Sequence, residues 1–129
     1  MRSYVTDTHA LIWYLIGSPK LGENARQIFD SAVRGENRIL IPAIVVAEMI
    51  MFAEKYRTID PKKIWATLEE HSGFLFVPLQ VETVKSIQEL VILPDIHDRL
   101  IVAETMEQKA VLITLDGPVT ESGLVKIIW

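Results

Sequence analysis

Short apolar runs alternate with stretches of helical periodicity along the whole chain, and this alternation restricts the fold more than any other feature. The runs near residues 3–6, 38–41, 74–77, 111–115 and 125–128 are brief and mostly apolar. Between them the apolar positions recur every three or four residues. Ala25, Ile28, Phe29 and Ala32 make one such stripe, and Ile64, Trp65 and Leu68 make another. Strands separated by helices cannot close as tight hairpins, so they return in the same direction and build a parallel sheet with helices packed on it. The expectation is an α/β fold with about five strands.

Local punctuation divides the segments. A helix over 9–16 is broken at Gly17-Ser18-Pro19, and a second over 22–34 ends at Gly35. Pro42 suits the first turn of a helix that reaches Tyr56. Asp60-Pro61 reads as an N-cap followed by proline at the first helical position, and Ser72-Gly73 as the stop. A helix over 81–91 should turn Val84, Ile87, Leu90 and Val91 inward. Asp95 should cap a helix that runs to about Lys109, and Gly117-Pro118 should be a plain connection between the last two strands. No internal repeat or linker is visible, and 129 residues suit one domain spanning 1–129.

Composition narrows the chemistry. Half the residues are hydrophobic and 23% are charged, which describes a folded chain rather than a disordered one. There is no cysteine, which excludes a disulfide scaffold, a thiolate zinc site and a cysteine nucleophile, and suits a reducing cytoplasm. The three histidines lack zinc-ligand spacing. The longest apolar run, Ile39 to Ala53, is shorter than the roughly 20 residues that span a bilayer and contains Pro42 and Glu48. With no charged-then-apolar signal at the N-terminus, a cytoplasmic protein away from membranes is expected. The net charge of −4 argues only mildly against nucleic acid, because cations bound at the acids would reverse the local potential, and whole-chain charge decides little.

Four acids stand where burial should penalise them. Asp7 and Asp116 each follow a strand-like run, Glu48 lies within the apolar helical stripe Ile44, Met51 and Phe52, and Asp98 shares a face with Ile101 and Val102. A buried carboxylate is costly unless it is hydrogen-bonded, paired, protonated or bound to a cation. If the four converge, a divalent ion held by oxygen ligands is the natural solution. Each has a structural alternative: Glu48 fits an edge position with its side chain reaching water, Asp7 an ordinary strand end, Asp98 the N3 position of a helix capped by Asp95, and Asp116-Gly117-Pro118 a turn. Thr6, Thr8 and Thr114 are placed to hydrogen-bond the acids, and Arg99 to reach a phosphate. His9 and His97 read as supporting or solvent-facing residues, and Trp13, Trp65 and Trp129 as core or interface residues. Phosphate-loop, dinucleotide and nucleophile-elbow fingerprints are absent.

These residues fall in four ordered blocks. Asp7-Thr8-His9-Ala10-Leu11-Ile12-Trp13, Pro42 to Glu48, Asp95 to Ala103 and Leu112 to Asp116 together reach from one end of the chain to the other. In that order they resemble the PIN-domain ribonucleases, and more narrowly the VapC-type toxins of toxin–antitoxin pairs. The resemblance implies a three-layer α/β/α sandwich and an Mg²⁺- or Mn²⁺-dependent endoribonuclease that cuts RNA and is bound by a cognate antitoxin. It puts Asp7, Glu48, Asp98 and Asp116 on the family's acidic, metal-binding positions, with Asp95 as an additional acid. Thr8, Asp95, Arg99 and Thr114 are the supporting or substrate-contacting candidates.

Two other classes compete. A PIN-like module that binds RNA or protein without catalysis would be favoured by loss of an acid, and all four are present. A receiver-like phosphorylation domain needs paired acids early in the chain and a lysine after a late strand, and neither occurs. A homodimer is also expected, because Trp13, Met49, Met51, Phe52 and Trp65 give the early helices more apolar surface than one core can hide.

Overall fold

The computed structural model describes residues 2–57 and 59–129. Its five strands are β1 (Ser3–Thr6), β2 (Arg38–Pro42), β3 (Phe74–Val77), β4 (Val111–Ile113) and β5 (Ile127–Ile128). They form one sheet in the order β3-β2-β1-β4-β5, and every pairing is parallel. The helices are α1 (Thr8–Leu15), α2 (Glu23–Val33), α3 (Ala43–Tyr56), α4 (Pro61–Glu70), α5 (Val81–Ser86), α6 (Ile96–Glu107) and α7 (Gly117–Ser122). The result is the parallel α/β sheet expected from the alternation of strands and helices, layered as the α/β/α sandwich that the resemblance implied.

The strand order positions the site. The chain starts at the centre with β1, moves outward through β2 to β3, then returns to lay β4 on the other side of β1. Connections leaving β1 and β4 therefore diverge, which opens a crevice at the carboxyl ends of these two strands, where ligands bind in open α/β sheets. Register brings the two ends level: Thr6 pairs with Ile113, and the Asp7 amide donates to the Ile113 carbonyl at 3.2 Å.

Val5, Ile39, Ile41, Leu112 and Ile113 of the sheet are buried with Leu11, Ile12, Phe29, Val45, Met49, Leu68 and Val102 of the helices. Burying an aliphatic or aromatic side chain of this size contributes roughly 1.5–3 kcal/mol, and this drives the layers together. Phe29 of α2 stacks on Tyr14 of α1 at 4.6 Å and faces Phe74 of β3 at 6.4 Å, so one ring joins three elements. A Cβ on Gly73 would stand 2.1 Å from the Ala32 carbonyl oxygen, so β3 can approach the end of α2 only with glycine there.

Several expected boundaries shift. Pro42 closes β2 and serves as the N-cap of α3 instead of its first helical residue. The helix expected over 81–91 stops at Ser86 and gives way to a 3-10 turn, Ile87–Glu89. The cause is Arg99, whose guanidinium donates to the carbonyls of Leu93 and Ile87 and so engages the backbone that a longer helix would need. Val84 and Val91 are exposed, while Thr83 is buried with its hydroxyl on Glu107. Strands β4 and β5 are shorter than expected, and the connection read as a plain turn contains α7.

Of the five residues expected to form an apolar surface, Met49 belongs to the core, and Trp13, Phe52 and Trp65 pack half-buried against it. Met51 is exposed, and Ile50, Leu75 and Phe76 join it. Among the described residues no helix is long and apolar enough to cross a membrane.

Candidate active site

Asp7, Glu48, Asp98 and Asp116 line a single cavity of about 440 Å³ at the carboxyl edge of the sheet, together with Thr8, Asp95 and His97. Three helix caps set the aspartates there. Asp7 follows β1 and caps α1, its Oδ1 accepting from the Ala10 amide at 2.8 Å. Asp116 follows β4 and caps α7, its Oδ2 accepting from the Val119 amide at 2.9 Å. Asp95 caps α6 by accepting from the Asp98 amide at 3.0 Å, which sets Asp98 in the first turn facing the cavity. The N-termini of α1, α6 and α7 thus meet at one place, and their positive ends favour the negative charge gathered there.

Two threonines fix carboxylate orientation. The Thr8 hydroxyl donates to Glu48 Oε1 at 2.7 Å, and the Thr114 hydroxyl donates to Asp7 Oδ2. Thr6 differs from the expectation: its hydroxyl donates to the Asp7 backbone carbonyl and to no acid. His97, ranked low from the sequence, carries its Nδ1 3.3 Å from Glu48 Oε2 and 4.0 Å from Asp95 Oδ1. Its place in the first turn of a capped helix that also presents Asp98 was the available signal. Arg99, expected near a phosphate, is turned away into the loop before α6 and is not among the cavity residues.

Crowding of like charge shows in the acidities. Burial pushes Asp98 up from 3.8 to about 6, and the carboxylates of Asp116, Asp95, Glu48 and Asp7 push in the same direction. Asp7 is also raised, first by burial; hydrogen bonds from Thr114 and Ala10 and the nearby His9 work against the rise. A cavity that raises the pKa of its own acids is short of positive charge.

The donors fit a hard divalent cation in kind, since all are carboxylate oxygens facing one space. Their side chains are not gathered for one: among the described residues no three acids or histidines stand close enough to hold an ion between them. Asp7 and Asp116 each spend one oxygen on a helix cap, while the Thr8 and Thr114 hydroxyls tie Glu48 and Asp7 across elements.

Against known proteins, the family model for the PIN domain matches residues 4–118. The chain belongs to the PIN domain family. Solved structures show the same fold. The toxin–antitoxin complex from Klebsiella pneumoniae matches with a TM-score of 0.71 at 19% identity, over 98% of this chain and 96% of that one. VapC20 from Mycobacterium tuberculosis, a sarcin-ricin loop cleaving toxin, gives 0.68 at 13% identity over 95% and 97%. VapBC2 from Rickettsia felis, bound to a DNA fragment from its promoter, gives 0.67 at 15% identity over 98% and 97%. At these identities the likeness is one of fold. A comparison with curated proteins finds no match in sequence. In this PIN domain, as the geometry above shows, the acids occupy the crevice that its strand order creates.

Proposed function

We propose that this single domain, residues 1–129, is a divalent-metal-dependent endoribonuclease and the VapC-type toxin of a toxin–antitoxin pair. The observation that carries the reading is the convergence of Asp7, Glu48, Asp98 and Asp116 on one cavity at the switch point of a PIN fold. Asp7, Glu48, Asp98 and Asp116 would hold Mg²⁺ or Mn²⁺, which would supply an activated water and offset the charge that builds on a phosphodiester. The chain's own residues prepare the site. Thr8 and Thr114 hold Glu48 and Asp7 in fixed orientation, and His97 offers a nitrogen between Glu48 and Asp95. Asp98 and Asp7, whose carboxyls burial holds above the usual carboxylate range, both gain from a nearby cation.

Among the solved structures of the same fold, one is a toxin–antitoxin complex and another is a sarcin-ricin loop cleaving toxin. An antitoxin segment fits the apolar groove formed by Ala43, Val46, Trp65, Phe76, Val77 and Pro78, which lies along the same carboxyl edge as the cavity. The exposed Ile50 and Met51 of α3 provide an apolar face for a homodimer.

A second reading, a PIN module without catalysis, is favoured by the caps, since Asp7, Asp95 and Asp116 each have structural work at a helix start. Cleavage separates the two. Freed of any antitoxin, the protein should cut single-stranded RNA in Mg²⁺ or Mn²⁺, and EDTA, Asp7→Ala or Asp98→Ala should stop it. Cutting that survives EDTA or either substitution would remove the metal mechanism.

A further inference from the structure

One wall of the carboxylate cavity is aromatic. His9, Trp13 and Trp129 line the same space as the four acids. Their rings form a chain of contacts: His9 lies 5.6 Å from Trp13, and Trp13 lies 5.7 Å from Trp129 in an edge-to-face arrangement. Neither indole is fully absorbed by the core. Both are half-buried, with one side packed on it and the cavity on another.

The wall is built from elements far apart in sequence. His9 and Trp13 are four residues apart on α1, so they share the face of the helix that Asp7 caps. Trp129 follows β5 and is seated against Gly22, where a Cβ would stand 2.5 Å from its indole Cδ1. The Asn24 side chain donates to the Trp129 carbonyl at 3.0 Å. The Lys20 ammonium sits 5.8 Å from the Trp13 ring centroid.

We infer that His9, Trp13 and Trp129 form a stacking wall that takes an unpaired nucleobase beside the phosphodiester to be cut. This rests on the ribonuclease reading and adds to it the means by which substrate is held. Among the described residues no lysine or arginine lines the cavity, and Arg99 is tied to backbone carbonyls, so the lining's own side chains give a phosphate little grip. Base stacking on aromatic rings does not depend on a basic surface and requires the base to be free of a duplex. An unpaired stretch of the chain to be cut is therefore what the wall takes, and it distinguishes a base from a bare ribose-phosphate chain.

Trp129→Ala tests the wall with little risk to the core, and Trp129→Phe serves as the conservative rescue. On an oligoribonucleotide that the wild type cuts, Trp129→Ala should raise KM about tenfold with kcat changed less than about twofold, and phenylalanine should restore most of the loss. Removing the bases that flank the cut bond should cost the wild type a similar factor and cost Trp129→Ala no more. Unchanged KM in Trp129→Ala, or a further full loss on the abasic chain, would overturn the inference. A binding arm stands apart from cleavage: with Ca²⁺ replacing Mg²⁺, oligoadenylate should quench wild-type indole fluorescence, and the abasic chain should not. If the wild type cuts no RNA but this quenching occurs and weakens about tenfold in Trp129→Ala, the ribonuclease reading fails and the wall stands. Equal quenching by both chains, or none, would overturn the wall whatever the nuclease does.

Discussion

Asp98 is the residue at which the electrostatic claim is most exposed. Burial and four neighbouring acids raise its pKa to about 6, so the folded chain holds this proton more tightly than the unfolded chain does. In metal-free buffer, stability should therefore rise as pH falls from about 7 through 6 toward the ordinary value of 3.8. Asp7, also raised, adds in the same direction. Glu36, held low by Arg34, acts oppositely but only below its ordinary value of 4.5. A melting temperature that fell between pH 7 and pH 5 without metal would contradict this. Asp98→Asn at pH 7 in EDTA should leave Tm unchanged or raise it by no more than about 4 °C, because solvent screens a partly exposed carboxylate. A large loss of Tm would mean that Asp98 serves the helix alone. At this scale the sequence was informative about which acids matter, because Glu48 and Asp98 interrupt apolar stripes. It ranked His97 too low and sent Arg99 to a phosphate, because their partners lie on other elements or in an irregular loop.

At the scale of elements, the same aspartates stabilise helix starts and face the cavity, and substitution can separate the two roles. Asp116→Asn keeps an oxygen for the Val119 amide and should preserve stability while lowering cleavage. Asp116→Ala should lower cleavage equally and in addition cost about 1 kcal/mol in denaturant unfolding, the usual cost of a lost N-cap. Equal stability of the two variants would show that the cap contributes nothing. Gly73→Ala should destabilise by about 2 kcal/mol or more, since its Cβ would meet backbone rather than a movable side chain. The strands and long helices were legible because their periodicity is local. Helix α7 was missed although its signals, Asp116 as cap and Pro118 just inside, stood in the sequence; a turn uses the same residues. The early end of α5 was not legible, because Arg99 ends it from a distance.

Over the whole molecule, the order β3-β2-β1-β4-β5 turns four scattered acids into one site. Alternation implied a parallel sheet, but it did not show that β4 returns beside β1, and that return makes the crevice. The apolar surface was also only half legible: hydrophobicity marked α3, whereas burial decided that Met49 is core and that Phe76 is exposed. A homodimer is the expected state at micromolar concentration, and Met51→Glu should weaken it without lowering the monomer's stability; a wild-type monomer by light scattering would remove that proposal. The central claim is that the cavity acids are ligands as well as caps, and anomalous diffraction from crystals soaked in Mn²⁺ tests it most directly. The account requires a peak within bonding distance of Asp98 and at least one of Asp7, Glu48 and Asp116, with those side chains turned toward it. An empty cavity at saturating Mn²⁺, with the carboxylates still on their caps and threonines, would contradict it.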